Sequence, residues 1–391
     1  MYTASGARGR EGTSLTLAAT RVRKRRVPAK RDPFLDGLRA VSVLRVISLH
    51  LMQRVQHPLL AVYSFVMPGM PLMFFVSGAL AAASLGREGA EVRRRFWTER
   101  ARRLLIPFWT FAAVVIATCA IGYFVVPDEL HAFDWANVWR WVLPLAGPQA
   151  SAAFDRLDWH LWFLASLILM MAAAPWLVKW HKRVPFAGAA VFFATGAGLE
   201  LLKVGAPEVV RNTLLFGSAF LLGFGFADGR IQRWSRAWLF GAFVALGSFA
   251  LGFHHLRAPG TPLHTVLLAL VVLGLAFVML WLVLRPAATR LFAHARVAGG
   301  VKRINSRAYT LYLWGPIANE IAWACFTPRG ALGYLGNFAL SLATLWLLVQ
   351  IFGRAEDFAA RRKAKTKVTP VGTPAAAVVA DFAAIEERRA A

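Results

Sequence analysis

The stretch Phe34-Leu-Asp-Gly-Leu-Arg-Ala-Val-Ser-Val-Leu-Arg-Val-Ile-Ser-Leu-His50 reads as a membrane-spanning helix, yet it carries Asp36, Arg39, Arg45 and His50. Ionisable groups at bilayer depth are costly and face a protein interior or a wet cavity, which marks the stretch as a working site. On a helix, Arg39 and His50 lie about 20° apart in azimuth and roughly 16 Å apart along the axis. Asp36 shares their face, and Arg45 points elsewhere. One helix therefore presents a cation near one membrane surface and an imidazole well inside, in a line.

The surrounding chain has the composition such a helix needs. Of its 391 residues 58% are hydrophobic and 17% charged, with a mean hydropathy of +0.51. Its apolar blocks have the length that crosses a hydrocarbon core. They predict an all-α, polytopic membrane helix bundle of about ten transmembrane helices, near 35–53, 69–86, 104–126, 159–178, 184–202, 210–227, 237–254, 263–284, 306–324 and 331–353. The net charge of +25 raises nucleic acid as a partner, but the basic residues sit in the short segments between apolar blocks. With the N-terminus inside, cytoplasmic segments hold 36 of the 45 Lys and Arg and outer loops hold seven. That asymmetry is the positive-inside pattern, so both termini are placed in the cytoplasm and nucleic acid is set aside.

Three regions follow. Residues 1–33 read as a disordered basic cytoplasmic arm without the apolar run of a secretory signal. Residues 34–353 form the transmembrane domain, and 354–391 a basic, Ala- and Pro-rich cytoplasmic tail. The longest outer loop, about 127–158, carries Trp135, Trp139 and Trp141, read as an interfacial belt or, more sharply, as a sugar-stacking lip. Cys119 and Cys325 match no metal spacing, and His254, His255 and His264 lack ligand-like partners, so no metal is assigned.

Several motifs occur in a fixed order. Leu35-Asp36-Gly37-Leu38-Arg39 is followed by His50, and the second span holds Phe74-Phe75-Val76-Ser77-Gly78. A loop carries Arg100 and Arg103 before Leu104-Leu105-Ile106-Pro107; the fourth span opens His160-Leu-Trp-Phe-Leu164, and the ninth reads Ser306-Arg-Ala-Tyr-Thr-Leu-Tyr-Leu-Trp-Gly315. Together these resemble the acyltransferase-3 family of integral-membrane acyltransferases over residues from about 34 to 353. The resemblance implies an O-acyltransferase that moves an acyl group such as acetyl from cytoplasmic acyl-CoA to a hydroxyl of a glycan or lipid-linked acceptor. It also implies a multi-pass protein of a bacterial cytoplasmic membrane, with membrane lipid as its surroundings and cell-envelope polysaccharide modification as its setting. One departure stands out: Gly315 occupies a position where the family often has His.

The residues themselves agree with that chemistry. Acyl transfer needs a base for the acceptor hydroxyl or a carrier for the acyl group, and a neutral imidazole serves either purpose near pH 7. His50 is the catalytic candidate; its plainer reading is a hydrogen bond to a neighbouring helix. Glu320, at similar depth in the ninth span, is the candidate orienter of His50, with Asn319 as an alternative and an interhelix hydrogen bond as the equal rival. Glu200 is a weaker candidate, since Lys203 is placed to pair with it. Arg39, Arg100 and Arg103 suit the phosphates of coenzyme A through their forked donors, although charge topology alone accounts for the loop arginines. Asp36, Ser77, His160 and Tyr309 are the candidate substrate contacts; Ser77 also fits close helix packing, and His160 an acceptor entrance. A transporter or exporter with the polar face of the first span lining its path is the rival function. A family member degenerated to a scaffold is a third.

Overall fold

A computed structural model describes residues 32–52, 67–86, 89–125, 133–145, 158–255 and 263–360. The expected basic arm (up to residue 31) and the tail beyond Ala360 lie outside the described residues, as does most of the 127–158 loop. From Pro33 onward the chain forms one unit, helical throughout among the described residues.

The opening stretch is α1, Pro33–Met52, with proline at the position where a missing N–H is harmless and Asp36 in the electropositive first turn. There follow α2 (Gly69–Leu85), α3 (Ala90–Val125), the short α4 (Trp139–Val142), α5 (Trp162–Arg183), α6 (Ala187–Leu201) and α7 (Glu208–Ala227). Then come α8 (Arg236–His255), α9 (Leu263–Val283), α10 (Arg285–Ala293), α11 (Ala295–Ser306), α12 (Ala308–Cys325) and α13 (Gly330–Ala360).

A helix occupies each of the ten expected spans. Six of them, α3, α5, α7, α8, α9 and α13, are long and apolar enough to cross a membrane. The other four fall short for identifiable reasons. The helices α2 and α6 have only 17 and 15 residues. In α1 the apolar run is broken by Asp36, Arg39 and Arg45, and in α12 by Tyr309, Tyr312, Asn319 and Glu320. These polar helices are not the lipid-facing ones. The apolar windows of α8 and α13 are only 11% and 17% buried, whereas those of α7 and α9 are 67% and 61% buried. The polar α1 packs against α2, α12, α10 and α11, all of them protein surfaces.

Two segments differ from expectation. The basic segment expected as a loop is the beginning of α3, whose 36 residues reach about 54 Å at the helical rise. Nothing between Ala90 and Ile106 breaks a helix, and Arg, Glu, Leu and Ala favour one. The connection between the eighth and ninth spans, expected as a simple basic segment, folds as α10 and α11. Their apolar residues Phe292, Val297 and Val301 pack with the N-terminal half of α1. Gly37 is required there, because a Cβ at that position would lie 1.9 Å from Phe292.

Glycine also sets the closest helix pair. A Cβ on Gly78 of α2 would sit 1.9 Å from the Phe220 carbonyl oxygen of α7, and one on Gly223 would sit 2.2 Å from the Phe75 oxygen. The Ser77-Gly78 pair thus follows the close-packing reading, with Ser77 half-buried beside the contact. Glu200 pairs with Arg211, 3.1 Å away, and not with Lys203, because the first turn of α7 brings Arg211 over the end of α6. In the outer segment Trp135 and Trp139 are exposed, but Trp141 is buried and stacked on Phe108, so it does not belong to an interfacial belt.

Adding one methyl group at Gly78 (Gly78→Ala) is expected to lower stability by roughly 1–3 kcal/mol through overpacking. A fall in the thermal midpoint of the purified protein in detergent would register it. Gly198→Ala, where an added Cβ meets nothing within 4 Å, is expected to leave that midpoint unchanged or raise it.

Candidate functional site

The inner part of the site is a pair of imidazoles. His50, in the last turn of α1, is 4% exposed, and His160, in the 3-10 turn Trp159–Leu161 before α5, is 1% exposed. Their ring centroids are 6.1 Å apart with planes at 64°. Aromatic side chains enclose them. Phe111 of α3 and Tyr312 of α12 meet His160 edge-on, at 6.0 and 5.4 Å. Trp314 closes behind Phe111 at 5.3 Å and stacks on Phe352 of α13.

The position of His160 is fixed through its backbone. The Tyr312 hydroxyl donates a hydrogen bond to the His160 carbonyl oxygen, tying the turn before α5 to α12. A hydrogen bond to a buried carbonyl from another helix fixes the two segments against each other. Sequence reasoning placed His160 at an outer entrance. The structure instead buries it against His50, because the turn folds inward under Phe111 and Tyr312.

The second part of the site lies near the N-terminal ends of α1 and α12. Arg100 interacts electrostatically with Arg103 and Arg39, so the three arginines picked from the sequence gather in one place. The Arg100 guanidinium lies 5.5 Å from the centre of the Phe96 ring. Arg39 also feels the Glu356 carboxylate, which accepts hydrogen bonds from the Thr310 hydroxyl at 2.7 Å and the Thr310 and Tyr309 amides at 3.1 and 3.4 Å. A carboxylate there satisfies the open amides at the start of α12 and its positive dipole end. Beside it Arg307 makes a two-pronged ion pair with Asp357, at 2.7 and 2.8 Å, and donates to the Gly353 carbonyl. Asp36 takes part through its backbone, whose carbonyl accepts from Asn305 at 2.8 Å.

Tyr309 joins the two parts. It is buried, and among the described residues its hydroxyl has no hydrogen-bond partner. Its ring stacks on Tyr312 one turn deeper, at 6.1 Å, and Tyr312 touches His160. Contacts therefore run from the arginine cluster through Glu356, Tyr309 and Tyr312 to the two histidines. The arginines suit phosphate oxygens, and a neutral imidazole offers one ring nitrogen as proton acceptor.

The remaining sequence candidates sit as follows. Gly315 faces Ile47 of α1, with an imagined Cβ 3.9 Å away, so ordinary space exists for a side chain and packing does not demand glycine. That register puts Glu320 about one turn or less from the level of His50. Glu320 is half-buried, and its neighbour Asn319 is buried and accepts a 3.5 Å hydrogen bond from Ser341. Ser77 makes no hydrogen bond among the described residues and lies with the α2–α7 contact. Glu356 and Tyr312 were not singled out from sequence. The Tyr-Thr-Leu-Tyr spacing of α12, with tyrosines on one face, is the signal that pointed to the second. Among the described residues no group of three His, Cys, Asp or Glu converges on a metal position.

Replacing Tyr312 with Phe removes the buried hydrogen bond to the His160 carbonyl, which costs about 0.5–1.5 kcal/mol. Tyr312→Phe is therefore expected to lower the thermal midpoint. It should also lower acyl transfer more than a distant substitution of equal destabilisation does.

A family model described as an acyltransferase domain matches residues 32–351, a range that contains both parts of the site. No curated protein and no solved structure matches the chain.

Proposed function

The chain belongs to this acyltransferase family and is a multi-pass membrane acyltransferase, and from that premise we propose that it carries an acyl group from cytoplasmic acyl-CoA to a hydroxyl of a glycan or lipid-linked acceptor. The observation that carries the reading is the line from the arginine cluster to the His50–His160 pair. The roughly 16 Å between Arg39 and His50 along α1 is of the order of a pantetheine arm.

In this reading Arg39, Arg100 and Arg103 hold the donor phosphates at the cytoplasmic end, and Tyr309 lies along the arm. The thioester reaches the buried imidazoles. His50 takes the proton of the acceptor hydroxyl as its oxygen attacks the thioester carbon. The tetrahedral adduct collapses with cleavage of the carbon–sulfur bond, and the imidazolium returns the proton to the departing thiolate. His160 orients His50 or shares the proton, supplying a second imidazole in a chain that has Gly315. Glu320 remains a proposed orienter from the same level of α12. Apolar walls of Phe111, Trp314 and Tyr312 exclude water, which favours transfer over hydrolysis.

Purified protein incubated with labelled acyl-CoA tests this directly. Wild type should consume thioester and release thiol. His50→Ala should lose at least about 100-fold in rate, the usual worth of a general base, with insertion and thermal midpoint kept. Arg39→Ala should raise the donor KM about tenfold or more, the loss of a charged hydrogen bond, with a smaller change in kcat. Full activity in the His50 variant contradicts the mechanism, and thioester left intact by wild type favours the transporter reading.

A further inference from the structure

The segment between α9 and α12 carries a charge imbalance that acyl transfer does not use. Residues 285–306, which form α10 and α11, contain Arg285, Arg290, Arg296, Lys302 and Arg303 and not one Asp or Glu. Arg285 lies over the Phe226 ring, 4.9 Å from its centre. The other four cations are exposed, and among the described residues their side chains make no hydrogen bond or ion pair. Arg307, just past α11, differs in being paired with Asp357.

The helix α11 has two unlike faces. Val297, Val301 and Ile304 pack against the protein core. The outward face runs Arg296, Gly299, Gly300, Arg303, at the spacing that puts residues on one side of a helix. The two arginines stand about 10 Å apart along the axis. Between them a Cβ on either glycine would meet nothing within 4 Å. Glycine inside a helix weakens it, and packing does not call for it here. What the pair provides is a bare floor between two forked donors, whose geometry matches phosphate oxygens.

Position selects the occupant. The helix α9, long and apolar enough to cross a membrane, ends at Val283, two residues before α10 begins. At its other end α11 leads into Arg307, which meets Asp357 near the end of α13, another such helix. Hung between the ends of two spanning helices, the pair lies at the membrane surface. Leu284 and Leu291, two turns apart at one side of α10, are 45% and 56% exposed. Basic side chains with exposed leucines beside them suit a helix at headgroup level, where anionic lipids concentrate negative charge. A soluble polyanion gives those leucines no partner.

We propose that the Arg296–Gly299–Gly300–Arg303 face of α11 seats the phosphate of an anionic lipid headgroup, with Arg290 and Lys302 adding charge around it. The site is independent of the donor and acceptor of acyl transfer. Native mass spectrometry of the full chain in detergent, loaded with dioleoyl phosphatidylglycerol or dioleoyl phosphatidylcholine, measures it. Wild type should retain phosphatidylglycerol at least about tenfold over phosphatidylcholine. The double variant Arg296→Gln, Arg303→Gln should bring the two lipids nearly level. The same charge removed elsewhere, by Arg233→Gln with Arg236→Gln, should leave the preference in place. Gly300→Leu keeps every charge and strengthens the helix, yet should reduce the preference by covering the floor. Thermal midpoints verify that each variant is folded. Inorganic phosphate added during loading should not displace the lipid; displacement makes this a free-phosphate site and overturns the proposal. So does the absence of a preference in wild type, or a preference untouched by either the Arg296/Arg303 pair or Gly300→Leu. A preference that appears only once residues 361–391 are removed assigns the face to the chain's own tail and likewise overturns it.

Discussion

A helix that carries Asp36, Arg39, Arg45 and His50 can be held at membrane depth only if protein surrounds it. This constraint organises the molecule. The apolar helices α8 and α13 face outward, while α2, α10, α11 and α12 close around α1. The close glycine contact between α2 and α7 and the seat of Phe292 over Gly37 draw helices near enough to do so. The polar line on α1 is then a line inside protein, with different surroundings at its two ends. At its N-terminal end are arginines and carboxylates, and at its C-terminal end two imidazoles among aromatic rings.

That separation of environments gives the site its direction. Arg39, Arg100 and Arg103 repel one another, and each is better placed with an anion nearby. Glu356 offsets only part of that repulsion, and its carboxylate is committed to the start of α12. Beyond Tyr309 and Tyr312 the site is walled by aromatic rings, and the two imidazoles are the groups suited to move a proton there.

Much of this was legible in the chain. Long apolar blocks named their own helices, and the face shared by Arg39 and His50 followed from the helical period alone. The gathering of Arg39 with Arg100 and Arg103 also agreed with the motif order. Other features depended on tertiary contact. His160 reads as an entrance residue because its burial depends on Phe111 and Tyr312, which come from two other helices. The helices α10 and α11 are short and basic, so no apolar block announced them, and their role appears only where Phe292 meets Gly37. Glu356 lies 46 residues from Thr310, a pairing that no local pattern encodes. The partner of Glu200 was misjudged for the same reason: Lys203 was near in sequence, whereas Arg211 was near in space.

The central claim is that one donor molecule spans from the arginine cluster to the imidazole pair. An experimental structure with a thioether analogue of acyl-CoA, which cannot transfer its acyl group, tests it most directly. The account predicts density for the phosphates at Arg39, Arg100 and Arg103, with the carbonyl of the analogue beside His50 and His160. An analogue whose phosphates lie elsewhere, or whose reactive end stops short of the histidines, would contradict it.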